Sequence, residues 1–282
     1  MNNHHKKDYN TLDFGWSKGI PDYQNKRLKI KSISEFKYND MESAIDYAIE
    51  KGFGKIILNC RYRYVKSLLE ANFIIEGIID GFFKGEDAFC MSYFINPERK
   101  ISKKENEEDT IIKKCRSVVS SQSFKDISDF KVRNVTENDI PQMIELFKSV
   151  FETYPSPVFN PDYLKEVIDK KTHFKVAVFN DKIVSIASAE MDKENLNAEI
   201  TDCATYPEYR GKGLLTNLIS HLENDLVDMG FYSLYSLSRA INPGINIALK
   251  KHGYMYRGRH INNCNICGEY EDMNIWAKPL IS

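Results

Sequence analysis

Two hydrophobic periods alternate along this chain. Runs such as RLKIKSI, HFKVAVFN and NAEITDCATY place apolar residues at about every second position, the pattern of half-buried strands. Between them lie stretches with apolar residues three and four apart, the pattern of amphipathic helices. A polar segment, 1–26, reads as an N-terminal arm. Residues 27–96 then read strand (RLKIKSI), helix (NDMESAIDYAIEKG), strand (KIILNC), helix (RYVKSLLEAN) and two strands (IIEGIIDGFF, DAFCMSYFI). The first helix has capping candidates in Asn39 and Asp40 and a stop at Gly52. Residues 97–129 are charge-dense and interrupted by Pro97, as expected of a linker carrying a solvated helix.

The region 130–279 carries a longer pattern, strand-helix-helix-strand-strand-strand-helix-strand-helix-strand-strand. Asn180–Asp181 between two strands signals a hairpin. Leu214, Leu215, Leu218, Ile219, Leu222 and Leu226 form one helical stripe. The whole is a mixed α/β chain. Its two parts also resemble each other: Gly52-Phe53 aligns with Gly230-Phe231, Asn72-Phe73 with Gly253-Tyr254, and Glu86-Asp87 with Glu271-Asp272. The smaller N-terminal domain is therefore read as a degenerate copy of the C-terminal half of the second domain, without its glycine turn.

Composition narrows the function classes. Of 282 residues 42% are hydrophobic, enough for a sizeable core, and the formal net charge is −1. A near-neutral chain has no global bias toward nucleic acid or an anionic membrane. The polar start lacks the apolar core of a signal peptide, so the default is a soluble cytoplasmic protein. The six cysteines are scattered, which argues against a disulfide framework. Cys264 and Cys267 form one C-x-x-C, and a zinc site needs about four ligands, so no metal is expected.

The chemistry concentrates in TDCATYPEYRGKGLLTNLISHL. Arg210, Gly211, Lys212 and Gly213 separate a strand from a helix. Unpaired amides at a helix start, the helix dipole, close-approaching glycines and two cations together suit an anion such as a phosphate. The P-loop spacing is absent, and Thr216 stands where a dinucleotide fingerprint has its third glycine.

YPEYRGKGLLTNLISHL resembles the acetyl-CoA motif R/Q-x-x-G-x-G/A of the GNAT N-acetyltransferases, with Arg210, Gly213 and Leu215 at its defining positions and Leu215 departing from Gly or Ala. The resemblance implies a GNAT fold on the C-terminal side, preceded by a smaller α/β domain resembling half of one. It implies a CoA site of Cys203, Ala204 and Thr205 on the strand edge, of the turn Arg210–Thr216 including Leu214, and of Asn242. It assigns the Cys203 amide to the acetyl carbonyl. Acyl transfer to an amine also needs a proton acceptor. Glu199 is in phase with Cys203 and falls on the family's catalytic glutamate; Asp202 and Glu190 are alternatives. The family's tyrosine acid has Leu249 in its place.

The segment Ser238–Leu280, with the TYPSPVF loop and the two-part length, resembles the β-lysine N6-acetyltransferases. This implies an amine acceptor, Nε-acetyl-β-lysine as an osmolyte product, and a lysine 2,3-aminomutase upstream in the pathway. A homodimer is compatible with it. Arg239 is the candidate carboxylate clamp, with Tyr154, Asn263 and Asn265 as polar contacts. Another amine (lysine, a polyamine or a protein lysine) and a non-catalytic acyl-CoA-binding module are the competing readings.

Overall fold

Alternation and turn chemistry produce nearly all of the expected strands, and one sheet collects them. The computed structural model describes residues 11–33, 40–120, 125–168 and 170–280. The first part holds β1 (Leu12–Asp13), β2 (Ser17–Asp22), β3 (Arg27–Ile33), α1 (Asp40–Glu50), β4 (Lys55–Cys60), α2 (Tyr62–Glu70), β5 (Ile74–Phe83) and β6 (Glu86–Phe94). A connecting helix, α3 (Glu105–Arg116), follows. The second part runs β7 (Lys131–Asn134), α4 (Ile140–Val150), α5 (Pro161–Val167), β8 (Thr172–Phe179), β9 (Lys182–Asp192), β10 (Asn197–Thr205), α6 (Leu214–Asp228), β11 (Ser233–Arg239), α7 (Pro243–Lys251), β12 (Met255–Ile266) and β13 (Glu269–Pro279). This is the element order read from the sequence. At Asn180–Asp181 both residues have positive φ, as a tight hairpin turn requires.

Two expectations need correction. Residues within 1–26 are not only an arm: β1 and β2 join the sheet, with β2 antiparallel to β3 and Trp16 buried. Polar composition hid them because alternate residues of an edge hairpin face solvent. The charged segment holds a helix that packs, since Ile111, Ile112 and Cys115 of α3 are buried in the second part's core. Asn39, one of the capping candidates, and residues 1–10 lie outside the described residues.

The sheet order is β1-β2-β3-β4-β6-β5-β12-β13-β11-β10-β9-β8-β7. Its centre is symmetric: β3-β4-β6-β5 on one side repeats β10-β11-β13-β12 on the other. In each quartet the first pair is parallel and the rest antiparallel. The bulges repeat too. β5 slips against β6 between Ile75 and Gly77 and between Ile79 and Phe83; β12 slips against β13 between Tyr256 and Gly258 and between His260 and Cys264. The two halves are related by a pseudo-twofold axis where Gly77 pairs with Gly258.

Only glycine fits that crossing. A Cβ on Gly258 would lie 2.2 Å from the Glu76 carbonyl oxygen and 2.5 Å from the Gly77 Cα, and Gly258 has φ +146°. Gly258→Ala is expected to cost roughly 2–4 kcal/mol, about 5–10 °C in Tm. Thermal unfolding followed by circular dichroism checks this, and an unchanged Tm would mean that the halves do not meet there.

The sheet curls strongly. On a flat sheet β3 and β10 would be seven strands apart. Instead Arg27 of β3 donates to the Asn263 carbonyl of β12 (2.8 Å), and Asn197 of β10 donates to the Phe82 carbonyl of β5 (2.9 Å). The outer strands of the two quartets thus fold over the far ends of the central pair. Ala198, Ile200, Leu234 and Trp276 pack against α4, α6 and α7, while Glu199, Tyr235 and Leu237 point to the opposite, concave face.

Candidate active site

A fork in the sheet creates the site. β10 pairs with β11 only from Asn197–Ser233 to Glu199–Tyr235. Beyond that point β10 stays with β9 but carries a bulge, because Thr201 opposes Ser188 while Ala204 opposes Ile186. Asp202 and Cys203 together oppose the single residue Ala187, one residue too many for the ladder, and Asp202 has φ +48°. A bulge bends its strand, here away from β11. The gap that opens is edged by 201–205, and it leads to the glycine turn.

The turn is built for an anion. Gly211 (φ +75°) and Gly213 (φ +88°) turn the chain from the strand into α6 in a conformation that side chains rarely adopt. Gly213 is the N-cap and no side chain caps the helix. The first amides of α6 therefore lack intrahelical acceptors, and the dipole places partial positive charge beside them. Leu214, Leu218, Ile219, Leu222 and Leu226 are buried and fix the helix axis, while Leu215 and Thr216 are half-buried at its mouth. Lys212 is exposed; Arg210 bends back, its Nε donating to the Thr205 carbonyl at 3.2 Å. A third cation arrives unforeseen. Lys125 Nζ donates to the Gly211 carbonyl at 2.7 Å, and Asn217 holds the Lys125 carbonyl at 3.2 Å. These donors fit the diphosphate of an acyl-CoA, and the open edge of β10 fits an extended amide-bearing arm. Among the described residues no group of three His, Cys, Asp or Glu converges as a metal site.

Carboxylates gather at the fork. Glu199 is half-buried and stands directly across from Glu190 of β9. Burial, then the Glu190 and Asp202 charges, raise its pKa to about 8, against the pull of Lys29 and of the Leu237 amide. Asp202 is buried and receives the Ser188 hydroxyl at 2.9 Å; burial raises its pKa to about 6, and the Tyr154 hydroxyl lies against it. A base with a pKa near working pH is what proton abstraction from an ammonium calls for. Burial pushes the Cys203 thiol far up, so it is a poor nucleophile. Ala204 turns its side chain to the core, and the Thr205 hydroxyl pairs with Ser185 at 2.7 Å.

The other expected contacts divide. Tyr154 is at the fork. Arg239 is not a free clamp, because it holds Glu271 through two bonds of 2.7 and 2.6 Å. Asn242 caps α7 by accepting from the Gly244 amide at 2.9 Å. Asn263 is buried with its carbonyl on Arg27, and the Asn265 amide donates to Asn25 at 2.7 Å. These asparagines anchor the β2–β3 turn over the site. Leu249 is fully buried in the core.

The sequence matches a known family and named relatives. The model of the acetyltransferase (GNAT) family matches residues 140–254. The N-acetyltransferase YodP of Bacillus subtilis is 34% identical, over 91% of this chain and 93% of its own. The β-lysine N(6)-acetyltransferases of Methanosarcina mazei and Methanococcus maripaludis are 38% and 36% identical, over 73% and 76% of this chain and 83% and 78% of theirs.

Proposed function

This chain belongs to the acetyltransferase (GNAT) family and is an N-acetyltransferase, and we propose that it acetylates the N6 amine of β-lysine by direct transfer in a ternary complex. The observation that carries the reaction is the raised carboxylate of Glu199 at the point where β10 leaves β11. The acceptor is supported by two relatives of that name across about three quarters of the chain. The β2–β3 turn docked beside the fork favours a small acceptor over a protein lysine.

Acetyl-CoA, the family's co-substrate, supplies the acetyl group as a thioester. The α6 amides, with Arg210, Lys212 and Lys125, hold its diphosphate. The bulge takes Cys203 out of the β9 ladder, and its amide faces the acyl carbonyl, where charge develops during transfer. Glu199 takes the ammonium proton, directly or through a water. A thiolate is a far better leaving group than an amide nitrogen, so the CoA thiol can depart without the acid that Leu249 replaces. The product is Nε-acetyl-β-lysine, a compatible solute made in the cytoplasm downstream of a lysine 2,3-aminomutase.

Thiol release with β-lysine, lysine and spermidine tests the acceptor. β-Lysine is expected to give a kcat/KM at least about tenfold above the others, the discrimination that one or two polar contacts provide. Preference for spermidine or lysine would replace the acceptor, and acetyl-CoA binding with no amine turned over would leave only the non-catalytic reading.

A further inference from the structure

The N-terminal half brings a cation to the acceptor site at a position that its symmetry defines. Lys55 and Ser233 each stand two residues after the phenylalanine of the matched Gly-Phe pairs. Parallel pairing sets Arg27, Leu28 and Lys29 against Lys55, Ile56 and Ile57. It sets Asn197, Ala198 and Glu199 against Ser233, Leu234 and Tyr235. Arg27 is thus the counterpart of Asn197, and Lys29 of Glu199. The strand-crossing bonds confirm the correspondence: Arg27 donates to the Asn263 carbonyl and Asn197 to that of Phe82, and both acceptors lie ten residues beyond the matched pair Gly253 and Asn72.

We propose that Lys29, the symmetry counterpart of Glu199, receives the carboxylate of the acceptor while Glu199 faces its reacting amine, so that the degenerate half supplies substrate recognition. The assignment rests on the β-lysine reading and gives the N-terminal half a role in it. The curl of the sheet brings β3 over the site. Gln24, in the β2–β3 turn, donates to the Tyr154 carbonyl at 2.8 Å, and Tyr154 lies against Asp202. Lys29 and Glu199 are close enough to act on each other electrostatically.

Lys29 also has room for an anion. Its side chain is 45% exposed, and its ion pair with Asp22, at 3.6 Å, is longer than a hydrogen bond. Asp22 is already taken by Arg27 at 2.9 Å and by Asn25. The Arg27 charge beside Lys29 makes an added carboxylate more favourable still, and it holds the Lys29 pKa below its usual value. Arg239, the cation that the sequence points to, is paired with Glu271 and free for no such task.

The experiment compares β-lysine, lysine and cadaverine, a diamine without a carboxylate, as acceptors for the full chain and for Lys29→Met and Lys29→Arg. A charged hydrogen bond contributes about 1.5–3 kcal/mol, so Lys29→Met is expected to raise KM for whichever amino acid is turned over by about 10–100-fold. kcat should change less, the ratio of kcat/KM for amino acid to diamine should collapse, and Lys29→Arg should restore most of it. An unchanged ratio in Lys29→Met overturns the proposal, as does a wild-type preference for cadaverine. Turnover of lysine but not β-lysine would overturn the acceptor reading alone and leave the Lys29 test standing.

Discussion

Glu199→Gln is expected to lower kcat/KM for acetyl transfer about 10²–10⁴-fold, the range that a positioned general base supplies, with folding intact. The substrate amine has a pKa of about 10.4 and arrives as an ammonium, so transfer stalls without a proton acceptor. Glutamine keeps the size of the side chain and can still accept from the Leu237 amide, so loss of activity reports the lost base. The wild-type rate should climb through an ionisation near pH 8, where Glu199 becomes a carboxylate, and the variant should lose that limb. Stability moves the other way. The unfolded chain ionises Glu199 near its ordinary pKa of 4.5 and the folded chain near 8. Folding therefore takes up a proton between these values, and wild-type stability falls as pH rises across that window. The glutamine variant should match wild type at low pH and exceed it in Tm by a few degrees at pH 8. Unchanged turnover in Glu199→Gln would pass the role to Asp202, whose own ionisation lies near 6.

Local chemistry made much of this legible before any coordinates. The glycine turn and the order of elements depend on residues close in sequence, whereas the bulge at Asp202–Cys203, which interrupts the alternation from Glu199 to Cys203, leaves no such mark. The internal repeat was also legible, because Gly-Phe and Asn-Phe or Gly-Tyr pairs mark the same helix ends in both halves. The curl of the sheet was not. It rests on hydrogen bonds between residues more than a hundred positions apart, such as Gln24 with Tyr154 and Arg27 with Asn263. Nothing near Lys29 or Lys125 in the sequence singles them out, and Arg239 looked free because Glu271, its partner, lies 32 residues away on another strand. Asn242 matched a family position but is also a good helix cap, which is the role its hydrogen bonds give it.

The joint between the halves is expected to be the other most sensitive place: Glu76→Ala should cost about 3–5 kcal/mol, as removal of one partner from a buried ion pair does. The Glu76 carboxylate is 1% exposed and binds Lys55 at 2.8 and 3.0 Å, the Ser92 hydroxyl, His260 Nδ1 at 2.6 Å and the Ile261 amide at 2.7 Å. Two of these partners belong to the C-terminal half. Burial holds the His260 pKa below its usual value, so the neutral ring donates from Nδ1. Burial opposes the carboxylate, yet the Lys55 charge and the His260 hydrogen bond bring its pKa down to about 2 from 4.5. Stability from this group is therefore full above pH 4.5 and is lost as pH falls toward 2. Glu76→Ala leaves Lys55 buried without its counter-charge, while Glu76→Ala with Lys55→Met removes both charges and should recover much of the loss. Urea unfolding of the two variants at pH 7, and of wild type between pH 5 and 2, reads these differences. A single variant as stable as wild type would mean that the network adds nothing net. If instead the single variant stays folded at low temperature but its KM for the acceptor rises, the joint also sets how β3 lies over Glu199, because Gly77, Gly258 and Glu76 fix the axis that relates Lys29 to it.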